Sequence, residues 1–304
     1  MAHSPLVSIV IPTYNYATYL PKAVSSCLDQ AHENIEIIVV DDGSTDGTRE
    51  VVQEFGNRVQ YVYQHNSGVS AARNKGLELA SGEFITFLDA DDYLIENSIQ
   101  TKLQILLEHE DIGIVVSNSY RQKESPDGAE SPLTSKPKVK RDLISDKFYE
   151  DLLLQKISFA TCTALIRSAL AKRFQFPPDI TNGEDVAYFT KIFFCTKGCY
   201  LAEPTAVVVK HPGSLRENIE KIQNQDIALV HAIFDDPLFA GELEYLRKDF
   251  ESASYLSLST SLYRAGEMKL ARKYYLAAIK HKPRNILRIN PLTKFLRSSF
   301  KHKS

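Results

Sequence analysis

Two acidic clusters, Asp41-Asp42-Gly43-Ser44-Thr45-Asp46 and Asp89-Ala90-Asp91-Asp92, each follow a short apolar run that reads as a buried strand. Carboxylates crowded at strand ends repel one another unless a cation or a donor-rich ligand lies between them. All-oxygen ligands suit hard divalent ions such as Mg²⁺ or Mn²⁺, so the expected chemistry is a metal ion beside a nucleotide. A third acidic pair, Glu184-Asp185, follows Gly183 at the start of an apolar-periodic stretch. Acids at a helix start are favoured by the dipole alone, so position leaves Asp185 open between a helix-end charge and a working base.

The elements that must position these acids alternate along the first part of the chain. Strands are expected at Val7 to Ile11, Ile35 to Val40, Val59 to Tyr63, Phe84 to Leu88 and Ile112 to Val116. Leu20, Ala23, Val24, Cys27 and Leu28 fall at helical spacing between the first two. Strand, helix, strand with β-branched runs predicts an α/β fold whose mainly parallel sheet is flanked by helices. Ligands in such sheets bind beyond the carboxyl ends of the strands, where both acidic clusters fall.

Residues 121–147 are polar and rich in Lys, Ser and Pro, which predicts a surface excursion rather than core. An apolar segment around Phe159 to Ile166, a helix from Glu184 to about Thr196 and a strand from Thr205 to Val209 follow. From about Glu217 the pattern is helical, broken at Pro283 and Pro291, and Tyr255 to Pro283 looks like one tetratricopeptide-type hairpin. The expected division is a catalytic domain over 1–216, with a nucleotide-binding half at 1–116 and an acceptor half at 117–216. A C-terminal helical extension over 217–304 follows.

Composition narrows the function classes. Thirty-six basic and thirty-eight acidic residues leave a net charge of -2, so no overall basic field recommends nucleic acid as a partner. Residues 280–304 carry eight Lys or Arg and no acid. This tail reads either as a solvated helix face or as a peripheral contact with anionic lipid at the inner face of a membrane. No apolar run is long enough to span a bilayer, and Pro12 cuts the first run, which has no basic leader. The expectation is a cytoplasmic chain. Cys27, Cys162, Cys195 and Cys199 are too scattered for a disulfide framework and read as reduced core thiols.

Five blocks add up to a resemblance: Val7-Ser-Ile-Val-Ile-Pro-Thr-Tyr-Asn15, Val39-Val-Asp-Asp-Gly-Ser-Thr-Asp46, Asn66-Ser-Gly-Val-Ser-Ala-Ala-Arg-Asn74, Ala80-Ser-Gly-Glu-Phe-Ile-Thr-Phe-Leu-Asp-Ala-Asp-Asp92 and Gly183-Glu-Asp185. In this order over residues 7 to about 214, the chain resembles the family 2 inverting glycosyltransferases of the GT-A fold. The resemblance implies transfer of a sugar from a nucleotide-diphospho-sugar, uridine-linked by preference, to a carbohydrate or lipid-linked acceptor. The setting it implies is cell-surface polysaccharide or glycolipid synthesis.

It also implies site residues. Pro12, Thr13 and Tyr14 would lie at the base and ribose, with Pro12 breaking the strand and Tyr14 stacking the base. Asp42 would accept a hydrogen bond from a base nitrogen, and Arg73 would meet the base or diphosphate. Asp89 and Ala90 would lie at the donor, Asp91 would bind Mn²⁺ or Mg²⁺, His211 would join the same metal, and Asp185 would be the catalytic base. Plainer readings stand beside these: Thr45 or Asp46 as a helix cap, Arg73 in a surface pair, His211 as an ordinary surface residue.

Two other functions compete. A sugar-nucleotidyltransferase would need a Gly-rich, Arg- or Lys-bearing loop after the first strand, and Pro12-Thr-Tyr-Asn15 is not one. A noncatalytic nucleotide-sugar-binding protein would have no need of Asp42, Asp91 and Asp185 together.

Overall fold

The computed structural model describes residues 4–125, 128–180, 182–211, 228–287 and 292–295. Most of the basic tail, Pro291, and the start of the expected helical region at 217 lie outside the described residues. The chain divides into two compact units, Met1–Tyr149 with Ile157–Ser214, and Glu150–Lys156 with Leu215–Ser304.

The elements up to residue 210 are β1 (Val7–Thr13), α1 (Leu20–Leu28), β2 (Ile35–Asp41), α2 (Thr48–Gln53), β3 (Gln60–Tyr63), α3 (Val69–Leu79), β4 (Phe84–Phe87) and β5 (Tyr93–Leu94), then α4 (Ser98–Glu108), β6 (Ile112–Lys123), β7 (Thr134–Ser135), β8 (Leu143–Ser145), α5 (Phe148–Leu153), β9 (Leu165–Arg167), α6 (Ser168–Ala171), α7 (Glu184–Phe194) and β10 (Lys197–Lys210). The strands form one sheet in the order β3-β2-β1-β4-β9-β6-β10-β5, with β7 added to β6 and β8 to β10. Its longer ladders, β1 with β2 and with β4, β2 with β3, and β6 with β10, are parallel. The antiparallel strand β9 joins the halves between β4 and β6.

The five expected strands and the α1 stripe are present. Leu20, Ala23, Val24 and Cys27 are buried in one cluster with Ile9, Ile11, Val39 and Leu88. Helix α3 approaches β1 so closely that a Cβ at Gly76 would stand 2.1 Å from Val10 Cγ1, so only glycine fits there.

One expectation needs correction, and another is borne out but incomplete: 121–147 lies at the surface, with only Gln122 and Val139 buried among its described residues. Pro12 does not break β1, which continues through it to Thr13. Val10 O accepts from Leu88 N on the β4 side, and Pro12, two residues on, faces the same side. The last β1–β4 pair is Val10 with Phe87, so the missing N–H of Pro12 deprives no partner strand. Nor is 121–147 only a surface excursion. Strand β6 runs on to Lys123, and β7 and β8 pair with β6 and β10. These two long strands outlast their neighbours and leave open ladder positions that the short strands satisfy.

Behind the sheet edge lies a buried cation that no motif announces. Lys102 of α4 is 0% exposed, and its Nζ donates to Ser98 Oγ at 2.8 Å and Thr205 Oγ1 at 3.1 Å. Burial pulls this ammonium down to about 7, against 10.5 for an ordinary lysine. The unfolded chain therefore holds the extra proton across that window, and stability should rise with pH through it. Lys102→Met is expected to stabilise the fold by a few kcal/mol at pH 7 and below, with the gain fading toward pH 10.5. Urea unfolding of both proteins at acid, neutral and alkaline pH checks this, and a gain that does not fade at high pH would contradict it.

The second unit contains α8 (Ala228–Phe234), α9 (Glu244–Arg264) and α10 (Met268–His281). Helices α9 and α10 form a hairpin, turning at Gly266 with φ 87°. Leu258, Leu262 and Ala271 make one buried cluster, and Leu256, Tyr275 and Ala278 another. Ser252 Oγ and Ser259 Oγ donate across the pair to Ala278 O and Ala271 O at 2.6 and 2.7 Å.

Candidate active site

The loops after β1 and β2 are stitched into one floor. Asn15, in the left-handed region at φ 56°, accepts from Thr45 N at 2.8 Å through its side-chain oxygen, and its own N–H donates to Ser44 Oγ at 2.9 Å. Asp46 takes Ala17 N at 3.0 Å on one oxygen and Thr48 N at 3.1 Å on the other, joining the loop to the first turn of α2. The N-cap position itself is Gly47, so Asp46 bonds the first helical N–H from one residue before the cap and adds a second bond across the loop. Gly43, at φ 87°, is required because a Cβ would stand 2.8 Å from Asn66 N.

Asp41 and Asp42 are both buried and both engaged by their own chain. Asp41 accepts from Tyr61 Oη at 2.6 Å and Ser44 N at 2.8 Å. Asp42 accepts from Gln64 Nε2 at 2.7 Å, Ser67 N at 2.9 Å and Gly68 N at 2.8 Å. It closes the stretch that opens α3, and a carboxylate with three donors keeps about one lone-pair site for a further ligand. By contrast, Thr13 Oγ1 at the end of β1 is buried without a partner among the described residues, and Tyr14 beyond it is 44% exposed.

The second cluster turns directly after β4. Asp92 N donates to Asp89 O at 3.0 Å, which folds Asp89 to Asp92 into a tight turn. Asp92 is buried inward, accepting from Val209 N at 2.9 Å and facing Cys162 Sγ at 3.6 Å. Burial, then the neighbouring Asp91 and Asp89 charges, hold its carboxyl well above the usual range. Asp91 is raised by burial and by Asp89, against a lowering contribution from His211. Burial and the same two acids, Asp91 and then Asp89, push the Tyr16 phenol up. Acidic groups therefore concentrate at this turn and oppose one another's ionisation.

His211, past the end of β10, reaches it from 120 residues away. Its Nε2 stands 3.1 Å from Asp91 Oδ2, while its ring stacks on Tyr19 at 4.4 Å and meets the edge of Tyr16 at 5.6 Å. It is buried, which removes the reading of an ordinary surface residue. Two ligand atoms about 2.1 Å from one ion, at right angles, are about 3 Å apart, so Asp91 and His211 fit adjacent positions on Mg²⁺ or Mn²⁺. No group of three or more metal-ligating side chains occurs among the described residues. A bound cation would thus take most of its shell from a ligand such as a diphosphate.

Arg73 is not in a surface pair. It is buried, donating through Nη2 to Asp89 at 2.7 Å and through Nη1 to Glu184 at 2.8 Å, with its guanidinium over the Phe176 ring at 5.2 Å. These two bonds go to carboxylates of its own chain, not to a surface partner, and leave three of the five guanidinium N–H donors for other contacts. Its Nε is buried and unpartnered among the described residues. Burial and Asp185 raise the carboxyl of Glu184, and Arg73 opposes them. The bridge ties the Asp89 turn to the first turn of α7, the turn that also carries Asp185. Asp185 itself accepts its neighbour's N–H, Val186 N, at 2.8 Å.

Replacing Arg73 with Met would leave two carboxylates facing each other without their cation. Breaking a buried pair costs about 3–5 kcal/mol, and the low end applies because Asp89 is 36% exposed. Urea unfolding should show this loss, and an unchanged midpoint would mean that the bridge contributes nothing.

Sequence reasoning missed Tyr16 and Tyr19, for which the run Tyr14-Tyr16-Tyr19 after a strand was a usable aromatic signal. It named Glu184 with Asp185 but gave it no role, because a helix-start acid is commonplace.

Residues 8–174 match the family model described as Glycosyl transferase family 2. The chain is 44% identical over 108 residues to TuaG of Bacillus subtilis, a putative teichuronic acid biosynthesis glycosyltransferase, covering 34% of this chain and 43% of TuaG. It spans less than half the length of the glycosyltransferases GlyA and GlyG of Streptococcus pneumoniae, which it also matches. Among solved structures, S. aureus TarS 1-349 with UDP-GlcNAc superposes with TM-score 0.57 at 18% identity, covering 90% of this chain and 89% of that one. The mannosyltransferase PcManGT from Pyrobaculum calidifontis, with GDP-Man and Mn²⁺, gives TM-score 0.58 at 20% identity, covering 99% and 87%.

Proposed function

The chain belongs to glycosyl transferase family 2, with a GT-A fold, and we propose that it moves a sugar from a nucleotide-diphospho-sugar to an acceptor hydroxyl with inversion. Asp185 accepts the proton of that hydroxyl, and the freed oxygen attacks the anomeric carbon from the face opposite the diphosphate. Asp91 and His211 would hold Mn²⁺ or Mg²⁺, which would supply positive charge to offset that gathering on the departing diphosphate. The leaving group then needs no proton, so a single base suffices where a glycosidase would need an acid as well.

The observation that supports this reading is the Asp89–Arg73–Glu184 bridge, because it links the metal-type turn to the helix turn on which the candidate base Asp185 lies. Thr13 with its unpartnered hydroxyl, exposed Tyr14 and the last open site of Asp42 are the contacts offered to the nucleoside, and Ala90 leaves room beside the ribose. Arg73 orients Asp89 toward the donor and keeps N–H groups for the diphosphate. Uridine is the preferred nucleoside, and the GDP-Man complex of PcManGT makes guanosine the second to try. TuaG's named role supports an acceptor in cell-surface polysaccharide or glycolipid synthesis. No helix among the described residues is long and apolar enough to cross a membrane.

The test is to supply UDP- and GDP-sugars with Mn²⁺ and a panel of carbohydrate acceptors. Acceptor-dependent release of nucleoside diphosphate, abolished by chelation, is expected. Pyrophosphate release from a nucleoside triphosphate and a sugar phosphate would instead make the protein a nucleotidyltransferase. Tight donor binding without turnover would make it a binding protein.

A further inference from the structure

The run from Leu133 to Lys147 is unlike the rest of the surface. Of the eight large hydrophobic side chains exposed among the described residues, three fall here: Leu133, Leu143 and Ile144, at 45, 37 and 56% exposure. Lys136, Lys138, Lys140 and Arg141 lie between them, all exposed, and none enters an ion pair with a described residue. The acids of the run do not cancel this charge. Asp142 is turned onto the sheet, accepting from Ala202 N at 2.8 Å, and Asp146 lies close enough to Lys197 to raise that amine.

The segment is also held in place. At one end β7 pairs with Tyr120 and Arg121, and at the other β8 pairs with Gly198 to Tyr200. Between them Asn118 clamps the crossing, donating to Val139 O at 2.8 Å and accepting from Lys138 N at 2.8 Å. Val139 is buried while its neighbours Lys138 and Lys140 are exposed, so the clamp fixes a cationic strap on the sheet. Exposed aliphatic side chains on a fixed edge strand are a liability in water unless something apolar covers them.

We infer that this strap is a docking surface for an anionic lipid bilayer, its lysines and arginine meeting the headgroups while Leu133, Leu143 and Ile144 enter the interface. Charge complementarity alone would suit any polyanion, including an acidic polysaccharide. The aliphatic side chains decide between them, because only a bilayer gives a place out of water next to the negative charge. Four cations and three aliphatics are modest, so attachment is reversible and weakened by salt. The surface is distinct from the basic C-terminal tail and does not depend on the sugar-transfer reading.

Cosedimentation of the full chain with vesicles tests it, using phosphatidylcholine alone and phosphatidylcholine with about one third phosphatidylglycerol. Retention on the anionic vesicles is expected, at least about tenfold stronger than on the neutral ones and falling as salt rises. The combined Lys136→Gln, Lys138→Gln, Lys140→Gln, Arg141→Gln variant should lose about tenfold or more of that affinity. Leu143→Ser with Ile144→Ser should weaken binding several-fold while leaving binding to dextran sulfate unchanged, and both variants should keep the thermal midpoint, since the replaced side chains are exposed. No retention of the wild type would overturn the inference. So would full retention of the charge variant, which would assign binding to another segment, or an unaffected serine variant, which would leave a surface that reads charge only.

Discussion

Asn at position 185 is expected to lower the transfer rate by about 10²–10⁴-fold, the usual worth of a positioned general base. Asparagine keeps the side-chain oxygen that accepts from Val186 N at 2.8 Å, so the start of α7 should hold its shape. The Arg73–Glu184 bond is untouched by the change, and with it the link to the Asp89 turn. Donor affinity should therefore stay near normal while turnover collapses, a pattern that separates a base from a binding residue. Measuring kcat with purified donor and acceptor, beside donor affinity by calorimetry, reads both quantities. Native turnover in the variant would remove Asp185 from the chemistry, and loss of affinity in proportion to rate would make it a binding group.

Asp91→Ala should act in the opposite way. Several kcal/mol of metal-dependent charge stabilisation vanish, so donor affinity in Mn²⁺ should fall by about 100-fold or more, to the level the native protein shows without metal. The ligand-free protein should not suffer. Burial and Asp89 already raise Asp91, and Asp92 is raised in turn by Asp91, so deleting one carboxylate relieves repulsion. Thermal unfolding without metal should give a midpoint equal to or above that of the native protein, while added Mn²⁺ with nucleoside diphosphate should no longer raise it. A variant that Mn²⁺ and nucleoside diphosphate still stabilise fully would assign the ion to other residues.

Much of the molecule was legible beforehand for a local reason. β-Branched runs bounded by turn residues specify strands, and the i, i+3, i+4 stripe of α1 specifies which face is buried. The acidic turn after β4 was visible because unlike neighbours, apolar then charged, mark a strand end. The reading failed where one element's environment is set by another. Pro12 looked like a strand breaker until the end of β4 showed that its missing N–H faces no partner strand. The polar stretch after residue 121 is at the surface as read, but its short strands were not foreseen, because their pairing depends on how far β6 and β10 extend, not on its own composition.

The amino-acid order by itself determined the alternation of strands and helices, the placing of carboxylates at strand ends, and the family those blocks belong to. Backbone preference and side-chain periodicity act over a few residues, so they can be read in one dimension. Only the tertiary structure decided how the charges are shared: Arg73 between Asp89 and Glu184, Asp42 on the opening of α3, and His211 against Asp91. These partners are 16 to 120 residues apart. A buried charge takes whichever counter-charge the fold brings within about 3 Å, and nothing local encodes which one that will be.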